Sequence, residues 1–230
     1  MDKRLKYSYA EKKEQSRRGS VVLVSLLIFF VLYVSFTSFI LSMRSMESDS
    51  MQPSIHAGDR FIFSSYLLYS PDIQRGSVVL FDMEAGKRRG LFEIALDGIT
   101  RFFTFQRVSI SKRENSFYIK RVVALPGDEV SMTNFVMRVR PKDSPYQSTE
   151  FEISEKHYDI TIPQVPALWD ESLPFHGNMD PVVMGEDECF LLSDDRSNTN
   201  DSRNWGPVPI SSIKGRALFR YWPLNRIGAP

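Results

Sequence analysis

One long uncharged stretch stands out in the pattern of polar and apolar positions along this chain. The 25 residues from Gly19 to Met43 carry no charge and consist mainly of Val, Leu, Ile and Phe. As a helix they would extend about 37 Å, enough to cross the roughly 30 Å hydrocarbon core of a bilayer with some tilt. All faces of such a helix would be apolar, unlike those of a helix packed on a soluble core. The pattern therefore predicts a transmembrane anchor over residues 19–43.

The flanks of this stretch predict how the anchor is retained and oriented. Its apolar core is longer than the roughly 7–15 residues typical of a cleaved signal peptide, and residues 42–46 contain no small-x-small cleavage pattern. Residues 1–18 hold seven basic and three acidic groups, so the positive-inside rule places this basic tail in the cytoplasm. We expect a single-pass protein of the cytoplasmic membrane, with residues 44–230 on the extracytoplasmic side.

Beyond the anchor, short β-type runs replace the helical pattern. Turn signals such as Gly58, Gly76 and Pro126-Gly127 separate these runs. Short strands punctuated in this way predict a mostly β domain, in which antiparallel sheets form a sandwich or a partly open barrel. The predicted strands are residues 60–63, 77–81, 117–125, 135–139, 158–162, 189–192 and 216–221.

Two stretches depart from the strand pattern and are interpreted as insertions. Residues 83–116 combine basic flanks with polar residues every three or four positions from Glu93 to Arg107, which predicts an amphipathic helix. That helix either packs on the sheet or lies on an anionic lipid surface. Residues 134–188 are rich in Pro, Ser and acidic groups, and we expect them to form a variable cap without chemistry of its own.

Composition argues against several classes of function. The 29 Lys and Arg residues nearly balance the 28 Asp and Glu residues, which argues against a dedicated nucleic-acid binder. Cys189 is the only cysteine, so an intramolecular disulfide framework and a cysteine-cluster zinc site are excluded. The three histidines are scattered and no HExxH motif occurs. We therefore expect no metal, no organic cofactor and no nucleic-acid partner.

Three segments hold the residues that could carry chemistry. Ser50 lies just beyond the anchor, although a serine in a turn before a proline is usually structural. Lys120 lies on a predicted strand among apolar neighbours, where it either reaches water from an edge or is buried. Burial lowers the pKa of a lysine by up to about 3–5 units, which makes it a usable general base. Residues 194–206 form a polar loop rich in Asx-turn formers.

Taken in order after an N-terminal anchor, these segments resemble the type I signal peptidases. The resemblance covers the anchor and the scaffold of the outer domain, but not residues 83–116 and 134–188. Gly58-Asp59 and Arg75-Gly76-x-Val78-Val79-x-Phe81 extend the match. The motifs that carry it are Ser50-Met51-x-Pro53, Lys120-Arg121-Val122-Val123-x-Leu125-Pro126-Gly127-Asp128, and Asp194-x-Arg196 followed by Asp201-Ser202-Arg203-x-Trp205-Gly206-x-Val208-Pro209.

The resemblance implies a Ser–Lys dyad that works through an acyl-enzyme. By matching position, Ser50 is the nucleophile and Lys120 the general base. The Ser50 backbone N–H and the Ser48 hydroxyl are expected to hold the oxyanion. Thr199 stands where the family has a serine that orients the lysine, and its hydroxyl can do the same.

The resemblance also implies supporting roles around the dyad. An ion pair between Arg121 and Asp194 is expected behind the dyad, and a second one between Asp201 and Arg203. The family's substrate groove accepts small residues at the first and third positions before the cut. The positions that match residues near this groove are Met51, Tyr118 and Ile119.

Three residues depart from the family pattern without removing the dyad. Ser193 replaces a glycine next to the lysine site, where it either crowds Lys120 or hydrogen-bonds to it. Asp195 replaces an asparagine and adds a charge nearby, and Ala124 replaces a glycine on the lysine strand. These changes leave the width of the pocket and the pKa of Lys120 open.

The sequence favours a membrane-anchored serine endopeptidase that removes signal peptides from exported preproteins at the bilayer surface. One alternative is a dedicated Ser–Lys processing peptidase with a narrow substrate. Another is an inactive relative that serves as a membrane-tethered binding module. A Ser-His-Asp site is not favoured, because His56 lacks a nucleophile-elbow sequence around Ser50 and is expected to be a surface residue.

Overall fold

A long N-terminal helix leads into two antiparallel sheets in a computed structural model of the chain. The structure describes residues 3–39, 41–65, 73–83, 117–164 and 177–230, together with residues 96 and 100. The predicted amphipathic helix over residues 83–116 lies outside the described residues, apart from residues 83, 96 and 100.

Helix α1 (Lys3–Phe39) contains most of the predicted anchor. Its segment Glu11–Tyr33 is long and apolar enough to cross a membrane, with a mean hydropathy of 1.6, and none of its most apolar window is buried. The helix ends at Phe39, and Leu41–Ser45 forms strand β1 instead. The last residues of the predicted 19–43 span are therefore a strand, because their backbone groups pair with a neighbouring strand and Met43 lies opposite Ile62.

Among the described residues, seven strands form the first sheet, in the spatial order β1-β2-β11-β3-β4-β9-β10, and four form the second, in the order β7-β6-β5-β8. All the strand pairings recorded in the described part of the chain are antiparallel. After β1, the strands are β2 (Arg60–Ser65), β3 (Val78–Asp82), β4 (Phe117–Ala124), β5 (Glu129–Thr133), β6 (Val136–Arg140), β7 (Ser148–Thr149), β8 (Met179–Val183), β9 (Glu188–Leu192), β10 (Val208–Pro209) and β11 (Ile213–Trp222).

The helices after α1 whose bounds fall within the described residues are short. Helix α2 spans Glu150–Ile153 and helix α3 spans Ser202–Trp205. Single 3₁₀ turns cover Ile210–Ser212 and Leu224–Arg226. The predicted mostly β, partly open fold with one N-terminal apolar helix is confirmed.

Strand β4 is the central element for the candidate site. Its last six residues are buried, because both faces of the strand are covered by other parts of the domain. Ile119 packs on one side with Leu80 of β3 and Phe63 of β2. Val122, on the opposite face, belongs to a different apolar cluster, which includes Leu191 of β9. A polar side chain on this strand is therefore held in low-dielectric surroundings.

The stretch interpreted as a variable cap is part of the fold. Three of the four strands of the second sheet, β6, β7 and β8, come from residues 134–188. The predicted strand at residues 158–162 is wrong, since only Thr161 makes an isolated parallel bridge, to Asp195. That bridge still joins the stretch to the polar loop after β9.

A buried ion pair ties this loop to the second sheet. Arg196 donates a hydrogen bond to Glu150 at 2.5 Å and another to the Phe135 carbonyl at 3.1 Å, and both charged side chains are buried. The Glu150 carboxylate also accepts hydrogen bonds from the Met137 N–H and from the Tyr158 hydroxyl. Removal of the Glu150 carboxylate leaves the buried charge of Arg196 uncompensated, which is strongly destabilising.

We predict that Glu150→Ala lowers the free energy of unfolding by about 3–5 kcal/mol, because the Arg196 guanidinium loses its buried counter-charge. Thermal unfolding of the detergent-solubilised chain, followed by circular dichroism, measures the change. Glu155→Ala is the matched control, since Glu155 is exposed. Equal unfolding temperatures for the two variants would contradict a structural role for this ion pair.

Candidate active site

The structure brings Ser50 and Lys120 together although 70 residues separate them. Ser50 lies in the turn between β1 and β2, and Lys120 lies on β4. The Lys120 Nζ is 3.3 Å from the Ser50 Oγ. Only 5% of Ser50 and 2% of Lys120 are exposed. A hydroxyl and an amine at this distance, sheltered from water, form a nucleophile and a possible base.

The turn that carries Ser50 is fixed by its own hydrogen bonds and by apolar anchors. The Met46 N–H donates to the Asp59 carbonyl at 2.7 Å, and the Gly58 N–H donates to the Met46 carbonyl at 2.8 Å, so the turn is closed at its base. Met51 and Ile55, which follow Ser50 in the same turn, are fully buried in the core. The carbonyl of Ser50 itself accepts from the Asp195 N–H at 3.1 Å. The nucleophile candidate is therefore held from both sides of the site.

Burial lowers the pKa of Lys120 from its ordinary value of 10.5 to about 8. Removal from water is the largest cause, because it disfavours the charged ammonium. The negative charge of Asp201 acts in the opposite direction, and the positive charge of Arg203 lowers the pKa further. A substantial fraction of the lysine is therefore neutral at mildly alkaline pH, as a general base requires.

Ser193, rather than Thr199, contacts the amine of Lys120. The Lys120 Nζ lies 2.7 Å from the Ser193 Oγ, shorter than its distance to Ser50. Within the described part of the chain, these are the two hydrogen bonds of this amine, and the Thr199 hydroxyl is not among its partners. The contact follows from strand register. Strands β4 and β9 are antiparallel and Arg121 pairs with Leu192. The residue before Arg121, which is Lys120, therefore lies beside the residue after Leu192, which is Ser193.

Ser48 lies close to the nucleophile candidate, as expected for an oxyanion donor. Its Oγ is 3.1 Å from the Ser50 Oγ. Ser48 is exposed, whereas Ser50 is buried. Among the described residues, the Ser50 backbone N–H donates no hydrogen bond. A nearby hydroxyl and an uncommitted N–H are the kinds of donor that can stabilise a negatively charged oxygen.

Arg121 and Asp194 form a buried, two-point ion pair behind Lys120. The Arg121 Nε and Nη2 donate to the two carboxylate oxygens of Asp194 at 2.7 and 2.6 Å. The Arg121 Nη1 donates to the Gly76 carbonyl at 2.7 Å, and the guanidinium lies 4.0 Å from the centre of the Tyr158 ring. Alternation along β4 directs Arg121 away from the face of Lys120. The pair fixes the strand without placing a carboxylate on the amine.

Asp201 and Arg203 organise the polar loop at residues 193–204. Asp201 is fully buried and caps helix α3, and its carboxylate accepts from the Arg203 guanidinium at 2.8 and 2.9 Å. The same carboxylate accepts from the Ser193 N–H at 3.0 Å. Arg203 also donates to the Arg196 carbonyl at 2.9 Å. Asp201 therefore places the backbone of the residue that contacts Lys120.

A groove of about 400 Å³ opens next to Ser50 and Lys120. Its walls come from the chain between Met43 and Ser48 and from the beginning of β4. Tyr118 and Ile119 line the groove, whereas Met51 is fully buried in the core and does not. Further lining residues are Arg44, Glu47, Leu80, Phe117, Asn198 and Asn200.

The other two departures from the family pattern do not touch the amine. The Asp195 carboxylate accepts hydrogen bonds from the N–H and the hydroxyl of Ser197, at 2.9 and 2.6 Å. Ala124 is fully buried in an apolar cluster. His56 is partly buried and contacts Arg226, so it is not a partner of Ser50. No group of three or more His, Cys, Asp or Glu side chains that could hold a metal occurs among the described residues.

The sequence pattern did not identify the contribution of residues 134–188 to this site. Tyr158 packs against Arg121 and its hydroxyl donates to Glu150, and burial of this tyrosine and the Glu150 carboxylate raise the pKa of that hydroxyl. Thr161 accepts from the Arg196 N–H and donates to the Asp194 carbonyl. A tyrosine and a threonine in a polar stretch give no signal of this kind. Their contacts arise only when the second sheet packs beside the loop.

A buried lysine next to a serine hydroxyl, open to a groove on a mostly β domain, is an arrangement suited to a serine hydrolase. The sequence pattern of one family, described as signal peptidase, peptidase S26, matches residues 18–222. The chain therefore belongs to this family, and the predicted membership is confirmed. This family membership also confirms the predicted enzyme class, a serine endopeptidase of the signal peptidase I type.

Similar proteins come from several kinds of organism. A probable signal peptidase I-2 of Synechocystis sp. is 27% identical over 198 residues, which cover 86% of this chain and 71% of the relative. A signal peptidase I of Bacillus amyloliquefaciens is 25% identical over 224 residues, covering 95% and 97%. The chloroplastic thylakoidal processing peptidase 1 of Arabidopsis thaliana is 26% identical over 196 residues, covering 84% and 46%.

We predict that the stability of the protein relative to Lys120→Met depends on pH. Between about pH 8 and 10.5 the unfolded chain binds the Lys120 proton more tightly than the folded one. The wild type should therefore gain stability relative to the variant as the pH rises through this window, by at most about 1.4 kcal/mol per pH unit. Thermal unfolding at pH 7 and pH 10 measures the difference.

The matched control is Lys214→Met, because Lys214 is only partly buried and its ammonium reaches the Ser211 carbonyl at the surface. The difference in stability between Lys214→Met and the wild type should be the same at pH 7 and pH 10. If the Lys120→Met difference were equally constant, the lowered pKa of Lys120 would be contradicted.

Proposed function

We propose that this protein is a membrane-anchored signal peptidase that cleaves signal peptides from exported preproteins by Ser50–Lys120 catalysis. The observation that carries the proposal is the 3.3 Å contact between the Lys120 Nζ and the Ser50 Oγ in a buried site. The family membership and the relatives named signal peptidase I support the substrate class.

The chemistry starts with the neutral form of Lys120. Its nitrogen lone pair accepts the Ser50 hydroxyl proton as the serine oxygen attacks the carbonyl of the bond to be cut. The protonated amine then gives this proton to the leaving amine, and an acyl-enzyme on Ser50 remains. Neutral again, the lysine accepts a proton from a water molecule that attacks the ester. The cleaved peptide leaves with its new carboxylate, and Ser50 regains its proton.

The negative oxygen of each tetrahedral intermediate needs donors that are already in place. The Ser50 N–H and the Ser48 hydroxyl fill this role in our proposal. Their support is the 3.1 Å distance between the two hydroxyl oxygens and the uncommitted state of the Ser50 N–H among the described residues. Donors of this kind are each worth about 10²–10³ in rate in serine peptidases.

The groove suits an extended peptide. One wall follows β1, which is an edge strand of the first sheet, and the other follows the beginning of β4. Backbone hydrogen bonds along such a groove bind a peptide as an added strand, while pockets select alternate side chains. We assign Tyr118 and Ile119 to the contact with the small residues that precede the cut. Met51 supports this groove from the core and does not line it.

The anchor places the site near the bilayer in this proposal. Helix α1 leads into β1, and only a few residues connect β1 to Ser50. A preprotein that is held in the same membrane by its own apolar segment reaches such a site at a raised effective concentration. The basic residues at the beginning of α1 support an N-terminus in the cytoplasm and a catalytic domain outside it.

We predict that the detergent-solubilised wild type cleaves a purified preprotein after a small-x-small sequence, and that Ser50→Ala and Lys120→Ala each lower the rate by at least about 10³-fold. A nucleophile and its base act as a unit, so either loss removes the same acyl-transfer step. Gel analysis gives the rate, and mass spectrometry gives the position of the cut.

Ser54→Ala is the matched control, because Ser54 lies in the same turn and its hydroxyl reaches the distant Asp159 carbonyl. It should cleave like the wild type. Cleavage that persists in Ser50→Ala would overturn the proposal. A wild type that cuts one preprotein among several unrelated ones would instead indicate the dedicated processing peptidase, and a folded wild type that cuts none would indicate the inactive relative.

A further inference from the structure

The amine of Lys120 needs to be held in one orientation if its lone pair is to reach the Ser50 hydroxyl. A lysine side chain has four rotatable bonds, and a neutral amine has two N–H donors and one lone pair. An acceptor on the side away from Ser50 fixes this choice, because an N–H that points to the acceptor leaves the lone pair for the serine. The question is which side chain supplies that acceptor here.

Ser193 supplies a second oxygen within hydrogen-bonding distance of the amine. Its Oγ is 2.7 Å from the Lys120 Nζ, against 3.3 Å for the Ser50 Oγ. Ser193 is fully buried and Lys120 almost fully, so water does not compete strongly for this contact. The oxygen is a neutral acceptor. It can orient the amine without the strong stabilisation of the ammonium that a carboxylate would give.

The backbone of Ser193 is fixed independently of Lys120. It follows directly on β9, and its N–H donates to the Asp201 carboxylate at 3.0 Å. Asp201 is in turn held by two hydrogen bonds from the Arg203 side chain. Ser193 has a single side-chain torsion before its oxygen, so a fixed backbone leaves the hydroxyl few positions. The acceptor is therefore rigid where the lysine is flexible.

Thr199 does not have these properties in this chain. It lies in the loop beyond β9, its carbonyl accepts from the Asp201 N–H at 2.9 Å, and its hydroxyl makes no hydrogen bond with Lys120. The register of β4 and β9 places residue 193, and not residue 199, opposite the lysine. A glycine at position 193 would leave that place without an oxygen.

We propose that Ser193 is the positioning residue for the general base: its hydroxyl oxygen accepts a hydrogen bond from the Lys120 amine and directs the lone pair to Ser50. This role rests on the proposed Ser50–Lys120 chemistry and replaces the one expected for Thr199. It assigns to the serine at this position a function that a glycine cannot perform.

The test measures acylation of Ser50 by an activated p-nitrophenyl ester, using the full-length protein in detergent and intact-mass detection. Because this reaction needs no preprotein, it separates the positioning role from the substrate class. We predict that Ser193→Ala lowers the maximal acylation rate by about tenfold to hundredfold, the loss expected for one hydrogen bond to an amine that becomes charged as it takes the Ser50 proton. The apparent affinity for the ester should change little.

The pH profile provides the readout that a structural role would not move. The Ser193 oxygen stabilises the protonated amine, so its removal should shift the midpoint of the acidic limb to lower pH. Ser197→Ala is the matched control, since Ser197 lies in the same loop, is exposed and hydrogen-bonds to Asp195. Ser197→Ala should retain the acylation rate of the wild type and the midpoint of its acidic limb. Thermal unfolding checks that each variant is folded.

Four other outcomes would decide against one proposal or the other. An unchanged or faster Ser193→Ala enzyme would overturn the positioning role, the faster result indicating that Ser193 donates into the lone pair. If the acylation rate fell and the pH midpoint shifted in Thr199→Val and not in Ser193→Ala, Thr199 would be the positioning residue. A wild type that is acylated at Ser50 but cuts no preprotein would refute the signal-peptide substrate alone. A wild type that is never acylated would refute both proposals.

Discussion

The burial of an amine on a central strand is the constraint on which the rest of this site depends. Lys120 is almost fully enclosed, and removal from water lowers its pKa to about 8. A charged ammonium in this position would need a partner with a full negative charge to be stable. The structure instead gives the amine two hydroxyl oxygens. Burial therefore makes the neutral, basic form of the side chain accessible at mildly alkaline pH.

The surrounding charges are arranged so that they do not undo this effect. Asp194 and Asp201 both lie close enough to raise the pKa of Lys120, but each is bonded to an arginine at short distance. Arg196 has its own partner in Glu150. Pairing in this way satisfies buried carboxylates without a hydrogen bond to the lysine. The same ion pairs hold the loop at residues 193–204 against both sheets, so they set the geometry and the electrostatics together.

The structure also relates the anchor to the site. Helix α1 gives way to β1, which is paired with β2, and the turn between these two strands carries Ser50. The serine is thus positioned by the first two strands after the helix, whereas Lys120 comes from the middle of the sheet. Strands β11 and β3 lie between β2 and β4 in the order of this sheet. The dyad geometry is therefore a product of the whole first sheet.

Much of this arrangement could be predicted from sequence, because it depends on residue types in a fixed order. The N-terminal apolar helix and the mostly β fold follow from local patterns, and the resemblance singled out Ser50 and Lys120. The contact of Ser193 with Lys120 could be raised only as a possibility, since it depends on the register of β4 against β9. The end of α1 at Phe39 depends on pairing with β2, which an uninterrupted apolar run conceals.

The roles of residues 134–188 were the hardest to predict. Polar composition suggested a cap, yet this stretch supplies three strands and the buried Glu150. Short strands such as β7, with two residues, give no period that can be recognised. The predicted strand at residues 158–162 failed because its polar residues serve single contacts, of Tyr158 with Glu150 and of Thr161 with the loop. Such contacts depend on tertiary packing and not on propensity.

The central claim is that burial beside Ser50 lowers the pKa of Lys120 enough for a substantial fraction of the amine to be neutral at mildly alkaline pH. The most direct test is ¹⁵N NMR of the detergent-solubilised protein, labelled at the lysine side-chain nitrogens and titrated from pH 6 to 11. The signal of Lys120 is assigned by its loss in Lys120→Met. The account predicts that this signal titrates near pH 8. Titration near 10.5, the ordinary value for a lysine, would contradict it.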